Sequence, residues 1–251
     1  MQVYVAELHV HTVLSPCAEI EMIPPFIVQE AIARGINLLA VTDHNASANV
    51  AAVMKAAQGS QLTVLPGMEV QTREEVHTLC IFDTLEQLSD WQAHVDGRLP
   101  DLENKVALFG EQFVVDDTGE FIRREPRLLL NSTSLTLEEA VRRVSALGGM
   151  AIPAHIDRQA FSLIANLGFV PPQMPFAALE VTRRISPQQA RRQFPQAGSY
   201  PVIQGGDAHR LEEMLGASIL TMRAPTIAEM RLALNNQDRR SLTFRGDLFD
   251  S

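Results

Sequence analysis

A chain of 251 residues with 46% apolar and 20% charged side chains can bury a sizeable core, so disorder and fibrous repeats are excluded. No apolar run approaches the ~20 residues of a membrane span, residues 1–7 lack a leader pattern, and Cys17 and Cys80 make no disulfide framework, so a cytoplasmic location with no membrane partner is expected. The net charge of −9 opposes long nucleic acid, so the expected partner is a small phosphorylated substrate and no duplex nucleic acid.

Short β-branched or apolar runs alternate with helix-period segments along the chain, which predicts a largely parallel sheet with helical crossovers. The first strand is read at 3–9, followed by a helix that Pro24-Pro25 opens and Gly35 ends. Strands at 38–43, 62–69 and 76–82 come next, and the capping-box spacing of Thr84 and Gln87 starts another helix. Between residues 113 and 131, two short extended runs flank Asp117-Thr118-Gly119, which predicts an inserted β-hairpin. Thr136 with Glu139 opens a further helix, strands follow at 150–154, 177–181, 201–206 and 218–222, and Thr226 with Glu229 opens the last helix. Eight strands is a barrel-like number, and no repeat or Gly/Ser linker divides residues 1–251, so a single domain is expected.

Chemistry collects at the strand ends. His9 and His11 stand two apart, where strand side chains share a face and both imidazoles can reach one ion. Asp43-His44 closes the second strand, Glu69 closes the third, and His77 opens the fourth. His155 follows the fifth strand, and Asp207-Ala208-His209 follows the seventh after Gly205-Gly206. Six of the seven histidines thus fall at strand ends, most of them C-terminal, where parallel barrels carry active sites; His94, in a polar helical stretch, reads as a surface residue. Neutral imidazoles with carboxylates suit zinc, manganese or iron, and the cations offset repulsion between the carboxylates. One ion needs only about four ligands, so at least two are expected.

In order and spacing, His9-Val10-His11-Thr12, Thr42-Asp43-His44, Glu69, His77, His155 and Asp207-Ala208-His209 resemble the motifs of the PHP (polymerase and histidinol phosphatase) domain family over nearly the whole chain. The resemblance implies a distorted (β/α)7 TIM-like barrel, here with an inserted hairpin, and a trinuclear metal site, so two or three divalent ions are expected. It implies a first ion on His9, His11, Glu69 and Asp207, a second on the bridging Glu69 with His77 and His155, and a third on His44 and His209. Members of the family often carry an aspartate or histidine a few residues after the His-x-His pair, whereas this chain has Leu14-Ser15-Pro16-Cys17-Ala18-Glu19. Cys17 stands nearest the position of the missing ligand, and Glu19 is a further candidate.

Two ions sharing Glu69 would lie ~3.5–4 Å apart and hold a bridging hydroxide as nucleophile. The expected reaction is hydrolysis of a phosphate ester, a phosphorylated metabolite, nucleotide or short oligonucleotide, whose spread charge several cations stabilise. Glu69, Asp207 and His209 are the expected catalytic side chains, with Arg158 and Arg183 or Arg184 placed to fork onto phosphate oxygens. Asp157, His209 or bound water would protonate the leaving group, and the hairpin at 113–131 and the loop at 168–176 are candidate pocket walls. An amidohydrolase using the same ions is the alternative enzyme. A silent metal-binding regulatory module would show eroded ligands, but the first two sites are complete.

Overall fold

The computed structural model describes residues 1–171 and 173–245. Its first strand, β1 (Gln2–Val10), separates two apolar layers: Tyr4, Ala6 and Leu8 join an inner cluster, while Val10 joins an outer one. Crossovers through α1 (Pro24–Ala33) and α2 (Val50–Ala56) make β1, β2 (Leu38–Val41) and β3 (Thr63–Gln71) pair in parallel. The unbroken apolar run of β2 follows from coverage on both faces. Leu38 and Ala40 meet Leu8 and Leu65 inside, whereas Leu39 and Val41 pack with Ile27, Val28 and Val53 of the helices.

The largely parallel sheet predicted from the alternation of elements does not continue past β3. Residues 72–76 are too few for a crossover, which takes about a dozen or more, so β4 (His77–Ile81) returns antiparallel. After α3 (Leu85–Asp96) and α4 (Val106–Phe109), β5 (Phe113–Val115) and β6 (Phe121–Arg124) form the predicted hairpin. Next, α5 (Leu137–Ala146) leads to β7 (Met150–Pro153), antiparallel to β4. Then α6 (Leu163–Leu167), β8 (Leu179–Val181), α7 (Pro187–Gln193) and β9 (Val202–Gln204) add a parallel β8–β9 pair. Finally β10 (Ser218–Met222) pairs antiparallel with β1, and α8 (Ile227–Leu234) leads to β11 (Ser241–Phe244) beside β10.

The main sheet therefore runs β11-β10-β1-β2-β3-β4-β7. It curls so that Ala177 N donates to Ala151 O and Ile156 N to Glu180 O, joining the β8 segment to β7. The chain after β9 reaches β1 through His11 N to Ala208 O and Ala208 N to His9 O, each 2.9 Å. The architecture is a mixed α/β fold with a curled seven-stranded sheet. No helix among the described residues is long and apolar enough to cross a membrane.

All eight anticipated strands form; β11 was not anticipated. Thr84 with Gln87 and Thr136 with Glu139 close reciprocal capping boxes, but Thr226 with Glu229 does not. Glu229 is occupied elsewhere: it accepts from Arg223 N and from both Nε and Nη2 of Arg240, which clamps α8 to the turn before β11. The hydrogen bonds from Arg240 hold the Glu229 carboxyl down to about 2. A depressed carboxyl favours the fold above its unfolded value of ~4.3 and loses that contribution as pH falls through its folded value. Arg240→Gln should therefore flatten the loss of stability between about pH 4 and pH 2 in denaturant titrations; an unchanged acid slope would show that the clamp does not couple to folding.

Candidate metal centre

Each strand end delivers its donor for a local reason. The β1–β2 register slips between Glu7 and Val10, so His9 turns inward although Leu8 already does, and His11 follows on the same side. Asp43 O accepts from Glu69 N and Asn45 N donates to Glu69 O, which sets His44 beside Glu69. Gly67 permits this approach, because a Cβ there would lie 2.8 Å from Val41 O. Since β4 runs antiparallel, its first residue His77 pairs with Gln71 at the end of β3. His155 and Asp207 sit just past β7 and β9 with left-handed backbones, φ 32° and 48°, a strained state for residues other than glycine.

The donors converge on Glu69, which is 1% exposed. Glu69 Oε1 lies 3.2 Å from His9 Nε2, 3.0 Å from His77 Nδ1 and 3.4 Å from His155 Nε2. Its Oε2 lies 2.8 Å from His44 Nδ1 and 3.5 Å from His11 Nε2. Asp207 Oδ1 stands 3.1 Å from His9 Nε2 and 3.2 Å from His11 Nε2. The His209 ring stacks 4.0 Å from that of His11. Six imidazoles and two carboxylates are thus brought together, and Cys17 meets His44 and His209, whose hydrogen bonds outweigh burial and lower its thiol to about 6.

This arrangement fits metal. Ligand bonds of ~2.1 Å put neighbouring donors ~3.0 Å apart on an octahedron and ~3.4 Å apart on a tetrahedron, the spacing seen here. His9 Nε2, His77 Nε2 and both ring nitrogens of His155 are buried without a hydrogen-bond partner. Unpaired buried polar atoms are costly unless something else satisfies them. Burial opposes ionisation of Glu69 and Asp207, but the surrounding histidines hold both carboxyls well below the usual range, so both are anionic donors. Burial also pushes His77 down to about 4 and so keeps it a neutral donor.

A further ring of groups sets the tautomers. His9 Nδ1 lies 2.9 Å from Glu180 Oε2, His11 Nδ1 3.0 Å from Ser15 Oγ and His209 Nδ1 2.9 Å from Asp207 O; with Nδ1 as the donor in each, the neutral rings would present their Nε2 lone pairs to an ion. Asp43 is not a donor to the cluster. It accepts from Thr12 N, Thr12 Oγ1 and Ser15 Oγ and so holds the loop that carries Ser15. Glu180 was missed by sequence reasoning, although an acid inside the apolar run Ala178-Leu179-Glu180-Val181 was a usable signal. Room for it comes from Gly205, where a Cβ would collide with the carboxylate.

Other expected residues divide. Arg158 Nη2 reaches Asp207 Oδ2 at 2.5 Å. Arg184 and Arg183 line a cleft of about 350 Å³ with Cys17, Arg158, Asp207 and His209, and Arg183 also lies 3.5 Å from Glu213. Glu19 is not with the cluster but pairs with Arg210 at 2.6 Å, and Asp157 is turned away to accept from Thr182 N and Oγ1. Neither the hairpin nor the described part of the loop at 168–176 lines this cleft, since the hairpin borders a separate apolar groove with Ile20 and Ile23. His94 lies on α3 against Trp91, apart from the site.

The PHP domain family matches over residues 7–161. No curated protein matches the chain. Among solved structures, the lesion-specific endonuclease PfuEndoQ from Pyrococcus furiosus superposes with a TM-score of 0.70 at 20% identity over 96% of this chain. Endonuclease Q in complex with a 27-mer duplex substrate bearing an abasic lesion superposes with a TM-score of 0.64 at 19% identity over 96% of this chain. This chain spans only 58% of the length of either endonuclease chain. A protein assigned as a metal-dependent phosphoesterase from Bifidobacterium adolescentis gives 0.55 at 19% identity, covering 82% of this chain and 87% of its own. The duplex complex overturns the expectation, drawn from net charge, of a small phosphorylated substrate and no duplex nucleic acid. Average charge does not govern the mouth of the site, where Arg158, Arg183, Arg184 and Arg210 gather.

If Glu180 sets the tautomer of His9, Glu180→Gln, which keeps the size but not the charge, should weaken metal binding about 10–100-fold. Competition titration with a chelating dye measures this, and wild-type affinity in the variant would reduce Glu180 to a packing role.

Proposed function

Because the chain belongs to the PHP domain family, we propose that this hydrolase is a metal-dependent phosphoesterase, with residues 1–251 acting as one catalytic unit. One ion position comprises His9, His11, Glu69 and Asp207, a second comprises Glu69, His77 and His155, and a third comprises His44 and His209 with Cys17. The observation that carries this reading is the convergence of five imidazoles on the two oxygens of Glu69 at 2.8–3.5 Å. Zinc, manganese or iron, when bound, supplies Lewis acidity and an activated water at neutral pH.

The protein's own groups do the rest. Arg158 leaves Asp207 to fork onto phosphate oxygens, and Arg184 borders the same cleft as a second fork. With Asp157 engaged by Thr182, His209 is the side chain at the cleft wall that can hold a proton beside the leaving oxygen. Its Nδ1 is bonded to Asp207 O, so metal ligation and proton donation compete for Nε2. Metal stoichiometry separates them, since a filled third position excludes the proton-donor role. A phosphodiester in a duplex, the substrate form of the Endonuclease Q complex, belongs in the substrate screen beside monoesters.

Manganese- or zinc-loaded protein should hydrolyse phosphate esters and be inhibited by inorganic phosphate, and Glu69→Ala should lower turnover at least ~100-fold. Full hydrolysis by that variant at saturating metal would remove the proposed role of Glu69. Replacing a soft ligand with a hard hydroxyl, Cys17→Ser should lose about one equivalent of metal in elemental analysis and keep the ions on Glu69; full metal content would make Cys17 structural.

A further inference from the structure

The loop that carries Arg158 also presents an aromatic side chain that phosphate chemistry does not use. Phe161 is 41% exposed, and its backbone is left-handed at φ 57°, an outlier for a bulky residue. It is held there. His77 N donates to Phe161 O at 3.0 Å, Ser162 Oγ donates to Arg158 O at 2.8 Å, and Thr182 secures Asp157 on the other side of Arg158. The Phe161 ring stacks on that of His77, centroids 4.8 Å apart and planes 18° from parallel. One face lies against His77, so the exposed part of the residue lies away from that contact. Covering His77 alone would need only an aliphatic side chain on a relaxed backbone, whereas a part-exposed aromatic ring held on a strained backbone suits a stacking role.

Arg158 and Phe161 are three positions apart, a span of at most ~10 Å. One touches Asp207 and the other His77, so the loop borders the cluster on two sides with a phosphate fork and a flat apolar face. We propose that Phe161 is a specificity-determining residue that stacks a planar nucleobase, so that the substrate is a nucleotide phosphate ester with its phosphate toward Arg158. This rests on the phosphoesterase reading, and the shared chemistry covers a free nucleotide or a nucleotide within a strand.

Binding and hydrolysis of AMP and ribose 5-phosphate, which differ only in the base, test the proposal on metal-loaded wild-type, Phe161→Leu and Phe161→Trp proteins. Wild type should favour AMP about tenfold, Phe161→Trp should keep that preference, and Phe161→Leu should bring the ratio near one. Equal handling of the two compounds by wild type, or a ratio unchanged in Phe161→Leu, overturns the proposal and leaves Phe161 as a support for His77. If neither compound is hydrolysed, the monoesterase form of the reading fails on its own and leaves the phosphodiester form, while the ratio of equilibrium affinities still decides the stacking role. A short DNA strand that displaces AMP from wild type places the nucleotide in a strand, and failure to displace it assigns the site to free nucleotides.

Discussion

A single buried carboxylate organises the site. Glu69 is anionic and almost fully enclosed, and such a charge is stable only when its surroundings supply compensating partners. Imidazoles from β1, from the chain after β2, from β4 and from the chain after β7 supply them. Their meeting requires the sheet to curl, β4 to reverse and β1 to slip register. Asp207 adds a second anion beside the same histidines, a juxtaposition that bound cations would relieve.

Around this centre the chain orients its donors with hydrogen bonds outside the cluster. Asp43 fixes Ser15, Ser15 fixes His11, and Glu180 fixes His9, so polar residues that never face the cluster decide which nitrogen does. Four non-glycine residues with left-handed backbones, Asn45, His155, Phe161 and Asp207, lie in the segments that border the site. Asn45 shows what holds such a residue: its Oδ1 accepts from Gln71 N while its Nδ2 donates to Leu129 O and Asn131 O. Strain retained where tertiary bonds over-determine the backbone is characteristic of functional sites.

The site also separates local from average electrostatics. A net charge of −9 describes the chain, yet Arg158, Arg183, Arg184 and Arg210 gather at one cleft beside the metal donors. Electrostatic steering depends on the field at the mouth, which composition does not report.

By itself the sequence determined the eight main strands, the hairpin, two reciprocal capping boxes and the residues His9, His11, His44, Glu69, His77, His155, Asp207 and His209 that the fold brings into one cluster. These were legible because periodicity and turn residues act locally, and because His and acidic side chains at strand ends have few structural uses. Tertiary structure decided the rest. The antiparallel return of β4 depends on the five-residue connection 72–76, whose pairing partner is not written in its own pattern. Glu180 became a partner of His9 across 171 positions of chain, and Asp157 and Glu19 were drawn off to Thr182 and Arg210, which no spacing rule anticipates. Thr226 with Glu229 had the spacing of a capping box, but Arg240, brought close by the turn before β11, competed for the carboxylate. Local signals name candidate residues, and long-range packing decides which candidates meet, because the free energy of a hydrogen bond or ion pair depends on the partners that the fold brings within reach.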